Sequence, residues 1–274
     1  MATTSTKHCV VEIGGIPVGL STTDAPFFDL LRQRYAGFLS SNNPQLELEF
    51  DLTDQGRVSD ADVCVRRNGH EWEIERGDFQ ARWDARTGRG HVRQNPNPYS
   101  LDSVLRILHS LVLAARGGFL LHASSGICDG RAYLFSGVSG AGKTTMTRLA
   151  PPGVILLTDE ISYVRPELDG YVAFGTPFSG ELAKAGENCK APIGTLFFLK
   201  QGSSNRIDDV SPSEAVRRLM RNILFFAEDP DLIERLLATA CDFVKRVAVR
   251  QLTFYPDTRV WDEVRSFEGA PVYV

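Results

Sequence analysis

The chain has 274 residues, 43% of them hydrophobic and 23% charged, enough for two small domains or one large one with a real core. Apolar residues run through its whole length, which excludes wholesale disorder. A net charge of -4 and a pI near 5.8 give no general basic field for a polyanion, so a nucleic-acid partner is not expected.

Cys9, Cys64, Cys128, Cys189 and Cys241 are odd in number, dispersed and never in a C-x-x-C pair. They read as reduced thiols of a cytoplasmic protein. MATTSTKHCVVEIGG has no long apolar run after Lys7, and the run from Leu105 to Ala115 is broken by His109 and Ser110. Neither a signal peptide nor a membrane span is expected.

In chain order, CVVEI and IPVGL flank Gly14-Gly15 as a hairpin, and Thr23 or Asp24 caps a helical segment PFFDLLRQRYAGFL. QLELEFDL, ADVCVRR, EWEIER, FQARWD and GHVRQ follow, alternating segments separated by Asn68-Gly69 and Gly77-Asp78. They predict a meander of antiparallel strands. NPNPYS marks a linker or helix start, and LDSVLRILHSLVLAARG a helix that ends at Gly117-Gly118. The expected domains are therefore 1–98, rich in strands with one helix, and 99–274.

The second part opens with a hairpin of FLLHASSGI and RAYLFSG across Cys128-Asp129-Gly130. Its second strand feeds a glycine loop, a short helix from Lys143 follows, and VILLTDE is a buried strand. Strands ISYVRP, YVAFGT and IGTLFFLK come next. Ser211-Pro212-Ser213-Glu214 predicts a capping box, and a helix near 229–243 and the strand RVAVRQLTF close the chain. The whole reads as α/β, or α+β overall.

GVSGAGKTT, from Gly137 to Thr145, matches G-x-x-x-x-G-K-[ST] at Gly137, Gly142, Lys143 and Thr144. Such a loop wraps a phosphate chain with its amides, here those of Gly137, Val138, Ser139, Gly140, Ala141, Gly142, Lys143, Thr144 and Thr145. The helix that follows turns its positive end to the phosphates. Lys143 reaches the outer phosphates and Thr144 offers a hydroxyl to magnesium. The bland alternative, a chance glycine turn, sits badly with a strand before the loop and a helix after it.

Asp159 and Glu160 end the very next strand, expected beside the loop strand and so within reach of a metal and an outer phosphate, with Asp159 favoured for the chemistry, although acids also merely close strands. His122 lies on the strand beside the loop strand, where it can approach the phosphate or serve simply as a core residue. Lys184, Lys190 and Arg165 are further cations near the motif, more readily solvated than functional.

A strand with His122, an Asp-Gly hairpin, GVSGAGKTT, a short helix and LLTDE together resemble the C-terminal kinase domain of the HPr kinase/phosphorylase family. The shorter HPr-kinase-related proteins, some of which accompany peptide-modification clusters, are the nearer match. The resemblance covers roughly residues 100 to 200 with motifs. It implies a P-loop kinase domain related in fold to phosphoenolpyruvate carboxykinase, ATP and Mg2+ as cofactors, and transfer of the γ-phosphate to a serine of a peptide or protein.

It also implies that Lys143 and Thr144 hold phosphates and metal, that Asp159 or Glu160 is general base or metal ligand, and that His122 supports them. Family precedent adds self-association. The family commonly has two aspartates where this chain has Asp159-Glu160, and its second glycine-rich signature is not found here. Two other readings stay open: a small-molecule kinase of the shikimate or gluconate type, and a nucleotide-dependent switch or scaffold without phosphotransfer.

Overall fold

The computed structural model of the protein describes residues 5–53, 62–182 and 185–267. The chain divides into two compact units, Met1–Leu111 with Phe225–Pro230, and Val112–Leu224 with Asp231–Val274.

In the first unit β1 (Lys7–Ile13) and β2 (Ile16–Thr22) form the expected hairpin. α1 (Ala25–Arg34) follows, with Asp24 as its cap: Oδ1 accepts from the Phe27 amide at 2.7 Å. The helix stops sooner than its apolar spacing suggests. Tyr35 is fully buried with its hydroxyl on Asp102 at 2.5 Å, and a 3-10 turn, Ala36–Phe38, leads to β3 (Leu39–Ser40).

The strands β4 (Leu46–Leu52), β5 (Cys64–Asn68), β6 (Glu71–Arg76), β7 (Phe79–Asp84) and β8 (Arg89–Gln94) complete a sheet ordered β3-β1-β2-β4-β8-β7-β6-β5. The expectation of one antiparallel meander is corrected at β4. This strand lies between β2 and β8 and runs parallel to both, and only β5 to β8 form the meander. A parallel pair needs a crossover, and α1 supplies it between β2 and β4. Alternation places Leu46, Leu48 and Phe50 of β4 on the buried face, where Phe50 meets Phe27 of α1 with ring centroids 5.8 Å apart.

Asn97 caps α2 (Pro98–Ala115) by accepting from the Tyr99 amide at 2.9 Å. The division between the units falls inside this helix, after Leu111. The helix ends as its sequence predicts: Gly117 takes a φ of 75°, and the amides of Arg116 and Gly118 both return to the Leu113 carbonyl at 2.9 Å.

The second unit runs β9 (Phe119–Cys128), β10 (Arg131–Ser136), α3 (Lys143–Arg148), β11 (Ile155–Thr158), β12 (Ile161–Glu167), β13 (Gly170–Phe174), β14 (Lys190–Gln201), β15 (Arg206–Asp209), α4 (Pro212–Asn222), β16 (Ile223–Leu224), α5 (Pro230–Arg246), β17 (Ala248–Phe254) and α6 (Val260–Ser266). β9 has four partner strands, β12 and β16 along its start and β10 and β11 further on. Its start, 119–122, pairs with β12, and its remainder, 123–128, pairs with β10. β14 likewise pairs first with β13 and then, in parallel, with β10 and β17. Five strands, β9, β12, β13, β14 and β10, therefore pair in a closed circuit. Both sheets mix parallel and antiparallel pairs, and the fold is α+β.

Phe135, Met146, Phe197, Leu252, Phe254 and Trp261 form one core beneath the hairpin and α3. Phe135 stacks on Phe197 at 5.8 Å and meets Trp261 edge-on at 5.3 Å. The expected capping box of α4 does not form. Ser211 makes no side-chain cap bond, and the Glu214 carboxylate, which would return to the Ser211 amide, is held instead by Arg217 and Arg218 at 2.5 and 2.6 Å. All five cysteines are free, and no helix among the described residues is long and apolar enough to cross a membrane.

Candidate functional site

The loop Gly137–Gly142 leaves the end of β10 and enters α3. Gly142 stands at the helix start with φ of 108°, and a Cβ there would collide with the ring of Phe254. Only glycine lets the loop turn this close to the core. Among the described residues, the amides of Ser139, Gly140 and Gly142 take no backbone acceptor, and the first helical amides are unsatisfied by construction. Gln201, at the end of β14, braces the loop by donating to the Gly140 carbonyl at 2.8 Å.

Lys143 is buried, 9% exposed. Its ammonium donates to the carbonyls of Gly137 at 3.0 Å and Val138 at 3.2 Å. Burial pushes its pKa down, and the carboxylates of Glu160 and Glu181 act against that shift. The helix beneath it is fastened to the sheet, since Ser124 of β9 donates to the Lys143 carbonyl at 3.1 Å. Thr144 lies at the second helical position and its hydroxyl has no partner among the described residues.

Asp159 and Glu160 occupy a bend between β11 and β12, and the hydroxyl of fully buried Thr158 shapes it by accepting from the amides of Glu160 at 3.2 Å and Ile161 at 3.1 Å. The expectation that their strand neighbours the loop strand is corrected: β11 pairs with β9, so β9 lies between β11 and β10. β11 is also less buried than its sequence suggests, with Ile155 44% exposed. The two acids diverge. Asp159 turns inward onto the amides of Gly180 and Leu182, whereas the charge of Glu160 reaches Lys143.

His122 sits on β9 where that strand changes partners. It faces Ile161 across the sheet, the neighbouring Ala123 amide donates to the Glu160 carbonyl at 3.0 Å, and Ser136 donates to the His122 carbonyl at 3.0 Å. Burial and, second, the charge of Lys143 lower its pKa. The histidine is thus close to the lysine of the loop, between the acid bend and the glycine loop.

The outlying cations are not part of this group. Lys190, at the opposite end of β14 from Gln201, pairs with Glu167 at 2.6 Å. Lys190 and Arg165 both lie over the ring of Phe174, each 5.5 Å from its centroid. Lys184 lies outside the described residues. Thr158, Gly180 and Glu181 join the site without having been anticipated. Among the described residues no three His, Cys, Asp or Glu side chains converge as a metal cage. A cavity of about 260 Å³ opens beside α3, lined by Phe135, Thr147, Val154, Leu182 and Trp261 among others.

No curated protein matches the chain. Among solved structures, the HPr(Ser) kinase/phosphatase from Coxiella burnetii matches over 44% of this chain and 87% of its own, at 13% identity and a TM-score of 0.24. A superposition that poor transfers nothing to this protein. Residues 97–267, from the start of α2 through the glycine loop and acid bend to the end of α6, match the model of the family described as SynChlorMet cassette protein ScmC; that span is more than half of the chain, and the protein belongs to this family.

Proposed function

We propose that the protein is an ATP- and magnesium-dependent kinase that transfers the γ-phosphate to a serine hydroxyl of a peptide or protein. The observation that carries this reading is the glycine loop between β10 and α3, with buried Lys143 at the start of the helix donating back to the loop carbonyls of Gly137 and Val138. Phosphoryl transfer asks chiefly for alignment and charge neutralisation. The loop amides cradle the phosphates, and Lys143 exchanges two carbonyl acceptors for phosphate oxygens.

The donors present fit magnesium. The Thr144 hydroxyl and the Glu160 carboxylate are hard oxygen ligands, and an ion held mainly by phosphates and water needs no protein cage. Magnesium, when bound, offsets the charge of the phosphate oxygens. Glu160 accepts the proton of the incoming hydroxyl, and His122, neutral near pH 7 because its pKa is lowered, orients that acid side of the site. The family description names a cassette, which directs the search for the acceptor to products of neighbouring genes.

Calorimetry and radiolabelled ATP test the reading together. Lys143→Ala should lose most MgATP binding and all measurable transfer, because a charge-assisted contact disappears. Equal affinity and turnover in wild type and variant would refute it. A nucleotide switch would bind MgATP and leave the serine unmodified.

A further inference from the structure

The glycine loop has two flanks. On one lie β9 with His122 and the acid bend, tied to that strand by the bond from the Ala123 amide to the Glu160 carbonyl. On the other lie β14 and then β17, both parallel to β10, so the carboxyl ends of three strands meet the loop. Parallel strands gather ligands in the crevice at such ends. A triphosphate whose outer phosphate faces the acid bend extends its nucleoside over the β14 and β17 flank, and at the usual strand spacing β17 stands about 10 Å from β10.

The loop rests on that flank at three points. A Cβ on Gly137 would stand 3.6 Å from the Leu199 carbonyl oxygen of β14, Gln201 donates to the Gly140 carbonyl at 2.8 Å, and Gly142 abuts the ring of Phe254 on β17. The chain just past these contacts is held as a rim. The Gly202 amide donates to the Phe254 carbonyl at 2.9 Å, and the Tyr255 amide donates to Asn205 Oδ1 at 2.9 Å.

This rim has the chemistry of a base site. Tyr255 is 50% exposed, an aromatic ring left in solvent beside a phosphate loop. Gln201 Nε2 and Asn205 Oδ1 are both spent on backbone partners, which fixes the way each amide is turned. Among the described residues that leaves Gln201 Oε1 as an acceptor and Asn205 Nδ2 as a donor without a protein partner. An adenine amino group and the ring nitrogen beside it require one of each.

We propose that Tyr255, Gln201 and Asn205 form the base subsite of the nucleotide site: the purine stacks on the Tyr255 ring, its amino group donates to Gln201 Oε1, and Asn205 Nδ2 donates to the neighbouring ring nitrogen. This rests on the ATP reading above and deepens it, since loop amides treat every polyphosphate alike. Gln201 serves twice, holding the loop through one atom of its amide and the base through the other.

Calorimetry on the full chain with two ligands tests the subsite: MgATP, and magnesium tripolyphosphate, which carries phosphates and no base. Tyr255→Ala should weaken MgATP binding about 5- to 150-fold, the range of one base–aromatic stack, and leave tripolyphosphate binding unchanged. Tyr255→Phe keeps the stacking ring and should bind MgATP as the wild type does. Asn205→Asp keeps the acceptor for the Tyr255 amide and removes only the donor, so it should weaken MgATP about 3- to 10-fold further than it weakens tripolyphosphate.

Unchanged MgATP affinity in Tyr255→Ala, or an equal loss for both ligands, would overturn the subsite. If Tyr255→Ala does not fold, Asn205→Asp decides, and equal losses for the two ligands there overturn it. Should the wild type bind MgATP but transfer no phosphate, the kinase reading fails while the same comparison still decides for or against the subsite. Should it bind neither ligand, both fall.

Discussion

The indole nitrogen of Trp261 donates to the carbonyl of Met146 at 3.0 Å, and both residues are buried. The bond fastens α6 to α3, the helix that starts at Lys143. Trp261→Phe keeps most of the apolar contact and deletes the bond, so it should cost about 1 kcal/mol. Trp261→Ala empties the site beside Phe135 and should cost about 3–5 kcal/mol. Urea denaturation measures both, and equal losses would contradict this division between bond and packing.

Gly142 and Gly140 both adopt positive φ, 108° and 77°, but only a Cβ on Gly142 meets anything, the Phe254 ring; around Gly140 the space is open. Gly140→Ala should therefore cost about 1–2 kcal/mol, the strain of a left-handed conformation. Gly142→Ala should cost more and weaken MgATP binding as α3 shifts. Thermal denaturation and calorimetry on the pair of variants provide the comparison, and equal behaviour would remove Phe254 from the account.

Acid should weaken the fold through His122. Its pKa lies below the ordinary 6.5, so the unfolded chain takes up the proton first as pH falls. The stability it contributes is complete above 6.5 and is lost as pH drops through the depressed folded value. Denaturation midpoints between about pH 7.5 and about pH 5 should decline, and His122→Gln should flatten part of that decline. A variant with an unchanged slope would show that the ring titrates alike in both states.

Glu160→Gln removes the proposed proton acceptor while keeping its size. Turnover should fall by about 100- to 10,000-fold, the usual contribution of a positioned base, and MgATP affinity should fall with it, since the same carboxylate is offered to magnesium. Steady-state kinetics beside calorimetry give both quantities. Full turnover in this variant would assign the proton to another group.

The two helix starts should respond differently to alanine. Asp24 caps α1 through its carboxylate, so Asp24→Ala should cost about 1 kcal/mol. Ser211 makes no cap bond on α4, so Ser211→Ala should cost only a few tenths. Equal losses in urea denaturation would mean that Ser211 caps in solution.

What was legible in the sequence was what neighbouring residues decide among themselves. Asp129-Gly130 carries its turn in its own chemistry, and both residues take positive φ, 49° and 78°. The glycine loop is contiguous, so its flanking strand and helix could be read with it. Strand order is not local: alternation in β4 reports a buried face and nothing of direction, and nothing in VILLTDE reveals that β9 separates it from β10.

Side-chain partners distant in the chain were equally hidden. Asp159 binds amides 21 and 23 residues further on, a pairing without a periodic signature, and the sequence reading therefore favoured it over Glu160 as the reacting acid. The half of the capping box that belongs to the Glu214 side chain gives way to Arg217 and Arg218, a choice between patterns that overlap in one segment. α6, seven residues long, offers too few turns for its apolar spacing to stand out.

The switch of partners along β9 between His122 and Ala123 makes this strand intolerant of length change. A single inserted or deleted residue there would reverse the facing of every side chain beyond it, exchanging His122 for an aliphatic neighbour at the loop and breaking the Ser124 bond to Lys143. Length variation among relatives should accordingly collect in the hairpin tips, such as the Leu168 turn, whose side chain is fully exposed, and spare 119–128.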